Sequence, residues 1–126
     1  MFKLHRKSTA ATEAIEYVIA GEALALGVLV KYSQGKLVKA TGTDVPEYVT
    51  LGTAVADKVC PVKRIHEDEV FETTLSVAGT ELKLGDKVTI AANADSVTAT
   101  TTDGTFEIIE MDGTAVGSKV RGLFRR

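Results

Sequence analysis

No stretch of this chain sustains an apolar helical periodicity before a turn residue interrupts it, and that one feature narrows the fold class most. Short runs of alternating apolar and polar side chains are broken roughly every 8 to 12 residues by Gly, Asp, Asn or Pro, the spacing of an all-β sandwich or barrel. The links are too short to hold a crossover helix, so the strands must pair mostly antiparallel. A compact domain of about eight to ten short strands is expected, with no repeat of roughly 20 to 50 residues inside it.

The clearest unit is residues 21–41, GEALALGVLVKYSQGKLVKAT. Apolar runs at 24–30 and 37–40 flank Tyr32-Ser33-Gln34-Gly35, where a Gly in a polar break supplies the positive φ of a short hairpin loop. Gly21 and Gly27 fall where the chain turns into a strand or lets another backbone come close.

Ahead of this hairpin, residues 14–20 (AIEYVIA) put Ile15, Tyr17 and Ile19 on one side and Glu16 and Val18 on the other, the period of a strand. After it come a loop at 41–46 and a strand at 47–57 that Gly52 interrupts with a bulge or a close crossing. The strand at 59–65 contains Pro61, which places it at an edge or a bend. Further strands are expected at 70–78, after the Leu84-Gly85-Asp86 turn up to Ile90, and at 97–102, 105–111 and 118–124. Asp103-Gly104 and Asp112-Gly113 read as type I′ hairpin turns.

At 126 residues the chain is long enough for one domain with its own core. Residues 1–13 (MFKLHRKSTAATE) read as an N-terminal arm ahead of a single β domain at 14–126. The 8–13 segment lacks the spacing of a capping box, so no helix is expected there. Residues 14–30 are broken by Glu16 and Glu22, which argues against a signal peptide or a membrane span.

The formal net charge of -2 conceals an asymmetry. Lys3, Arg6, Lys7, Lys119, Arg121, Arg125 and Arg126 sit at the two ends. Only eight of the fifteen basic residues therefore remain in the body against all seventeen acidic ones, a formal charge of -9. The ends are either solvated or set against an acidic partner surface. The acidic body argues against nucleic acid.

Catalytic signatures are lacking. Cys60, the only cysteine, has no neighbouring base and reads as a small core side chain. His66-Glu67-Asp68-Glu69 reads as a solvated acidic turn, because successive strand residues point to opposite faces and cannot converge on a metal. Lys87 follows Gly85-Asp86 without the flanks of a carrier-domain lysine. There is no phosphate-binding glycine loop, and the two His have no triad context, so neither an enzyme nor a cofactor is expected.

The order Gly21-Glu22-Ala23-Leu24, Gly27-Val28-Leu29-Val30, Gly35-Lys36-Leu37-Val38-Lys39-Ala40 and Leu51-Gly52-Thr53-Ala54-Val55-Ala56 resembles the capsid decoration proteins of tailed phages, the cement proteins of expanded heads. The resemblance covers under half the chain, and the long Pro- and Thr-rich arm of the lambda type is not matched by residues 1–13. It implies a non-enzymatic virion structural protein, made in the host cytoplasm, that binds the outer surface of a phage capsid and stabilises it. Its partner would be the major capsid protein, with no nucleic acid or membrane involved, and it would form a homo-oligomer such as a trimer. Phe2, Lys3, Arg6, Lys7, Arg121, Arg125 and Arg126 become the expected capsid contacts. The alternatives are another phage head-fibre or tail component, or a soluble small-molecule-binding β-barrel.

Overall fold

The computed structural model describes residues 1–7 and 14–124. Their strands are, in chain order, β1 (Lys3–Lys7), β2 (Glu16–Ile19), β3 (Leu29–Ser33), β4 (Lys36–Lys39), β5 (Tyr48–Thr50), β6 (Val59–Arg64), β7 (Glu69–Thr74), β8 (Lys87–Val88), β9 (Phe106–Met111) and β10 (Lys119–Phe124). They form two five-stranded antiparallel sheets, sheet I in the order β1-β7-β10-β9-β8 and sheet II in the order β2-β6-β5-β3-β4. The all-β expectation holds, and of its two forms the molecule takes the sandwich, since neither sheet closes into a barrel.

The hairpin expected in residues 21–41 is β3–β4. Tyr32 pairs with Leu37 and Ser33 with Lys36, which reduces the loop to Gln34-Gly35. Both loop residues have positive φ, 52° and 79°, as a two-residue type I′ turn demands. Residues 24–28 do not extend β3, and only Leu24 bridges across, to Ala54. Instead Thr50 ties this segment down, since its hydroxyl donates to the Ala25 carbonyl at 2.7 Å and accepts from the Val28 amide at 3.0 Å. Gly27 turns with φ 76°, and a Cβ there would overlap the Met1 side chain. Gly21 lies against β4, its amide donating to the Leu37 carbonyl at 2.7 Å.

Pro61 departs from expectation. Its strand, β6, lies inside sheet II between β2 and β5, not at an edge. The Leu51 amide donates to the Pro61 carbonyl at 2.8 Å, so Pro61 turns its backbone toward β5. The donor it lacks therefore falls opposite Leu51, one residue past the end of β5 at Thr50, and no ladder bond within β5 is lost.

Two turns also differ. The β9–β10 connection turns at Gly117, φ 87°, and Asp112-Gly113 keeps ordinary backbone angles. Asp103 has positive φ, 56°, but the segment after it is no hairpin. Gly104 is required because a Cβ would overlap the Lys87 carbonyl as the chain passes β8. Residues 97–102 form no strand. Val97 makes single bridges to Leu75 and Ile90, while the Thr98 hydroxyl bonds Thr89 and accepts from the Thr100 amide, a local alternative to ladder pairing.

The core joins both sheets. Phe2, Phe71, Phe106 and Phe124 pack with ring centroids 5.1 to 5.8 Å apart, mostly edge to face. Phe2, at 1% exposure, is thus a core residue, and residues 3–7 run antiparallel along β7 as an edge strand of the molecule's own sheet. This part of the expected arm is integrated into the fold because Phe2 fills the aromatic cluster. Residues 8–13, including the segment read as non-helical, lie outside the described residues.

Candidate functional site

The outer face of sheet I gathers the charges that the sequence separates. Pairing sets Lys3 opposite Glu72 and Arg121 opposite both Glu72 and Glu110. Their side chains follow the same register. The Glu72 carboxylate takes Arg121 Nε at 2.9 Å and Lys3 Nζ at 3.2 Å, with His5 Nδ1 at 3.9 Å. Arg121 also reaches Glu110 at 3.3 Å and Asp112 at 3.1 Å, and Arg6 bonds Glu110 at 3.0 Å.

Burial pushes the Glu72 carboxyl up, but hydrogen bonds from Lys3 and Arg121 outweigh it and hold the group below its ordinary range. Glu110 is held low first by its hydrogen bond from Arg6. The basic ends thus meet acidic groups of the body within one molecule, an arrangement that neither sequence reading of the ends contained.

Of the expected capsid contacts, sheet I brings together Lys3, Arg6 and Arg121. Lys3 and Arg6 remain more than half exposed, whereas Arg121 is 18% exposed beneath its carboxylates. Lys7 ends β1 opposite Glu69. Phe2 is buried in the core. Arg125 and Arg126 lie outside the described residues.

A second cluster closes one end of sheet II. The Arg64 guanidinium donates to Glu16 through two bonds of 3.1 Å, donates to the Tyr48 hydroxyl at 2.7 Å, and lies 4.8 Å over the Tyr48 ring. Tyr32 and Tyr48 share a hydroxyl hydrogen bond of 2.7 Å. Burial raises the Tyr48 phenol, and the Arg64 hydrogen bond lowers Glu16. Each of these polar groups is bonded to another, which suits a structural cap.

The 66–69 turn corrects the sequence reading at its last residue. Glu69 is 1% exposed and accepts both Lys63 Nζ, at 2.7 and 2.6 Å, and the His66 amide at 3.0 Å. Lys63 is buried as well, donates to the Arg64 carbonyl at 2.9 Å, and stands 5.8 Å from the Phe71 ring centroid. A buried ion pair therefore stands where a wholly solvated turn was expected. The apolar Val70-Phe71 step that follows Glu69 directly was the available sequence signal.

Among the described residues no three His, Cys, Asp or Glu side chains are grouped to hold a metal ion. Cys60 is buried with its Sγ 3.7 Å from the carbonyls of Gly52 and Pro61, and burial pushes its thiol up, away from the reactive thiolate. A surface groove of about 690 Å³ runs beside β9, with Leu82, Leu84, Ile109 and Met111 along it and Arg121 at its rim. Lys87 lies in β8 and not at a hairpin tip.

No family model matches the chain, and no curated protein matches it. Among solved structures it is similar to the N base of the head fibre protein gp8.5 of bacteriophage phi29, with a TM-score of 0.64 and 18% identity, over 90% of this chain and 95% of that one. That protein falls in the class the sequence held as an alternative, a phage head-fibre component, and not among decoration proteins. The chain thus has the fold of a phage head-fibre base, almost end to end.

Proposed function

We propose that this protein is a non-enzymatic structural component of a phage virion, held on the outer surface of the head by the major capsid protein. The observation that carries the reading is the fold shared with the phi29 head-fibre base over 90% of the chain. The phage resemblance of residues 21–75 supports it independently of the fold. The protein acts as a homo-oligomer, either as the foot of a fibre or as a decoration unit that stabilises the shell.

Attachment uses the exposed ammonium and guanidinium groups of β1, Lys3 and Arg6, against carboxylates of the shell, with Arg125 and Arg126 adding charge from the other end. Each such pair contributes about 0 to 1 kcal/mol, so tight attachment comes from repeated contacts of several subunits.

Mass spectrometry with copy counting on purified particles, beside electron microscopy of the heads, tests the reading. Many copies on the outer head surface support it, whereas absence from the particle overturns it. A Lys3→Gln, Arg6→Gln variant should bind heads more weakly, with a shallower dependence on salt.

A further inference from the structure

The solvent faces of the two sheets are unlike. That of sheet I carries the ion network, whereas on sheet II the edge strand β2 and its neighbour β6 expose hydrocarbon. Tyr17 pairs with Pro61 and Ile19 with Val59, and the Leu51 amide donates to Pro61, so these side chains stand side by side on one face. Ile15 continues the row by alternation. Tyr17 is 68% exposed, Ile15 53% and Val59 51%, with Leu51 and Ile19 close to two-fifths.

We infer that this patch is the surface through which copies of the chain bind one another, patch against patch. The inference deepens the homo-oligomer of the proposed function by naming its contact surface. Two observations select a second copy as the occupant.

The first is charge. The chain carries a formal net charge of -2, so a contact between acidic surfaces of two copies is unfavourable. The patch itself carries no Asp, Glu, Lys or Arg, and beside it Asp57 is held by Lys36 at 2.7 Å. A charged partner finds little there to recognise, while an identical neutral surface meets no repulsion.

The second is area. With a fully buried aromatic side chain worth about 150 to 250 Å², these part-exposed side chains present on the order of 400 Å² of apolar surface. Two facing patches then bury about 800 Å², and their polar rims bring the total to the roughly 1,000 Å² that a specific interface requires.

Light scattering and sedimentation velocity on the isolated protein, between about 1 and 100 µM, test this. Tyr17→Lys and Val59→Lys are made separately, with Leu84→Lys as a control, since Leu84 is 64% exposed along the groove beside β9. The wild type and Leu84→Lys should form the same assembly. Both patch variants should weaken it at least tenfold with an unchanged circular dichroism spectrum and, at dilutions where the wild type is dissociated, an unchanged melting temperature, because both side chains are mostly exposed. A wild type that stays monomeric throughout, or patch variants that assemble like the wild type, overturns the inference. Such a failure would leave head attachment, which is read on particles, standing.

Discussion

Replacing Lys63 by Met should strand the Glu69 carboxylate inside the protein. In the wild type that carboxylate, 1% exposed, receives two bonds from Lys63 Nζ and one from the His66 amide. Without Lys63 it keeps a single N–H donor in apolar surroundings. Removing one partner of a buried ion pair costs about 3 to 5 kcal/mol, a fall of about a hundredfold to a few thousandfold in the folded to unfolded ratio.

The double variant Lys63→Met, Glu69→Leu removes the charge that the single variant strands. It still loses the Lys63 bond to the Arg64 carbonyl and the Glu69 bond to the His66 amide. At about 1 kcal/mol for each, it should lie within roughly 2 kcal/mol of the wild type. Urea unfolding of the wild type, both single variants and the double variant closes a cycle whose coupling term measures the pair. If Lys63→Met falls within about 1 kcal/mol of the wild type, or the double variant is no more stable than the singles, the pair is not the desolvated contact described above.

Three further outcomes are expected. Glu72 and Glu110 are held below the ordinary glutamate value of 4.5, so their contribution to stability is fully present above that pH and is lost as pH falls through their lowered values in the fold. Thermal melts from pH 7 down to pH 3 should show this loss, and Glu72→Gln should flatten part of it; a Glu72→Gln curve parallel to that of the wild type would refute the linkage. Gly104→Ala should destabilise by more than about 2 kcal/mol, because its Cβ meets the Lys87 backbone carbonyl rather than a movable side chain, and chemical unfolding reads the change. Cys60 should react with a disulfide reagent only at the rate of unfolding, and rapid labelling of the native protein would contradict its burial.

Much of the sheet structure was legible because alternation and turn chemistry are local. Gln34-Gly35 announces its hairpin, and the alternation of residues 14–20 gives β2, though not that its Ile15, Tyr17 and Ile19 side faces water. What escaped depends on partners far away in the chain. Nothing near Pro61 shows that β5 will end one residue before the missing donor matters. Phe2 reads as part of a loose basic end because the rings it meets, Phe106 and Phe124, come from the other end of the sequence. The same distance hid the acidic partners of Lys3, Arg6 and Arg121, although the alternation around Phe71 already places Glu72 on the solvent side of its strand. Threonine runs misled at 97–102, where hydroxyls serve the backbone locally instead of marking a strand.

The position of β7 between β1 and β10 has a consequence for how the molecule comes to be folded. Sheet II draws all its strands from one continuous part of the chain, β2 to β6, whose loops are short to close. Sheet I needs the first strand and the last on the two sides of β7, and the second of these exists only when synthesis reaches the C-terminal segment. A nascent chain can therefore complete one layer while β7, with its apolar Val70-Phe71 step, lacks β10 along one of its edges. The interval before β10 arrives is when this protein is most open to pairing with the wrong strand.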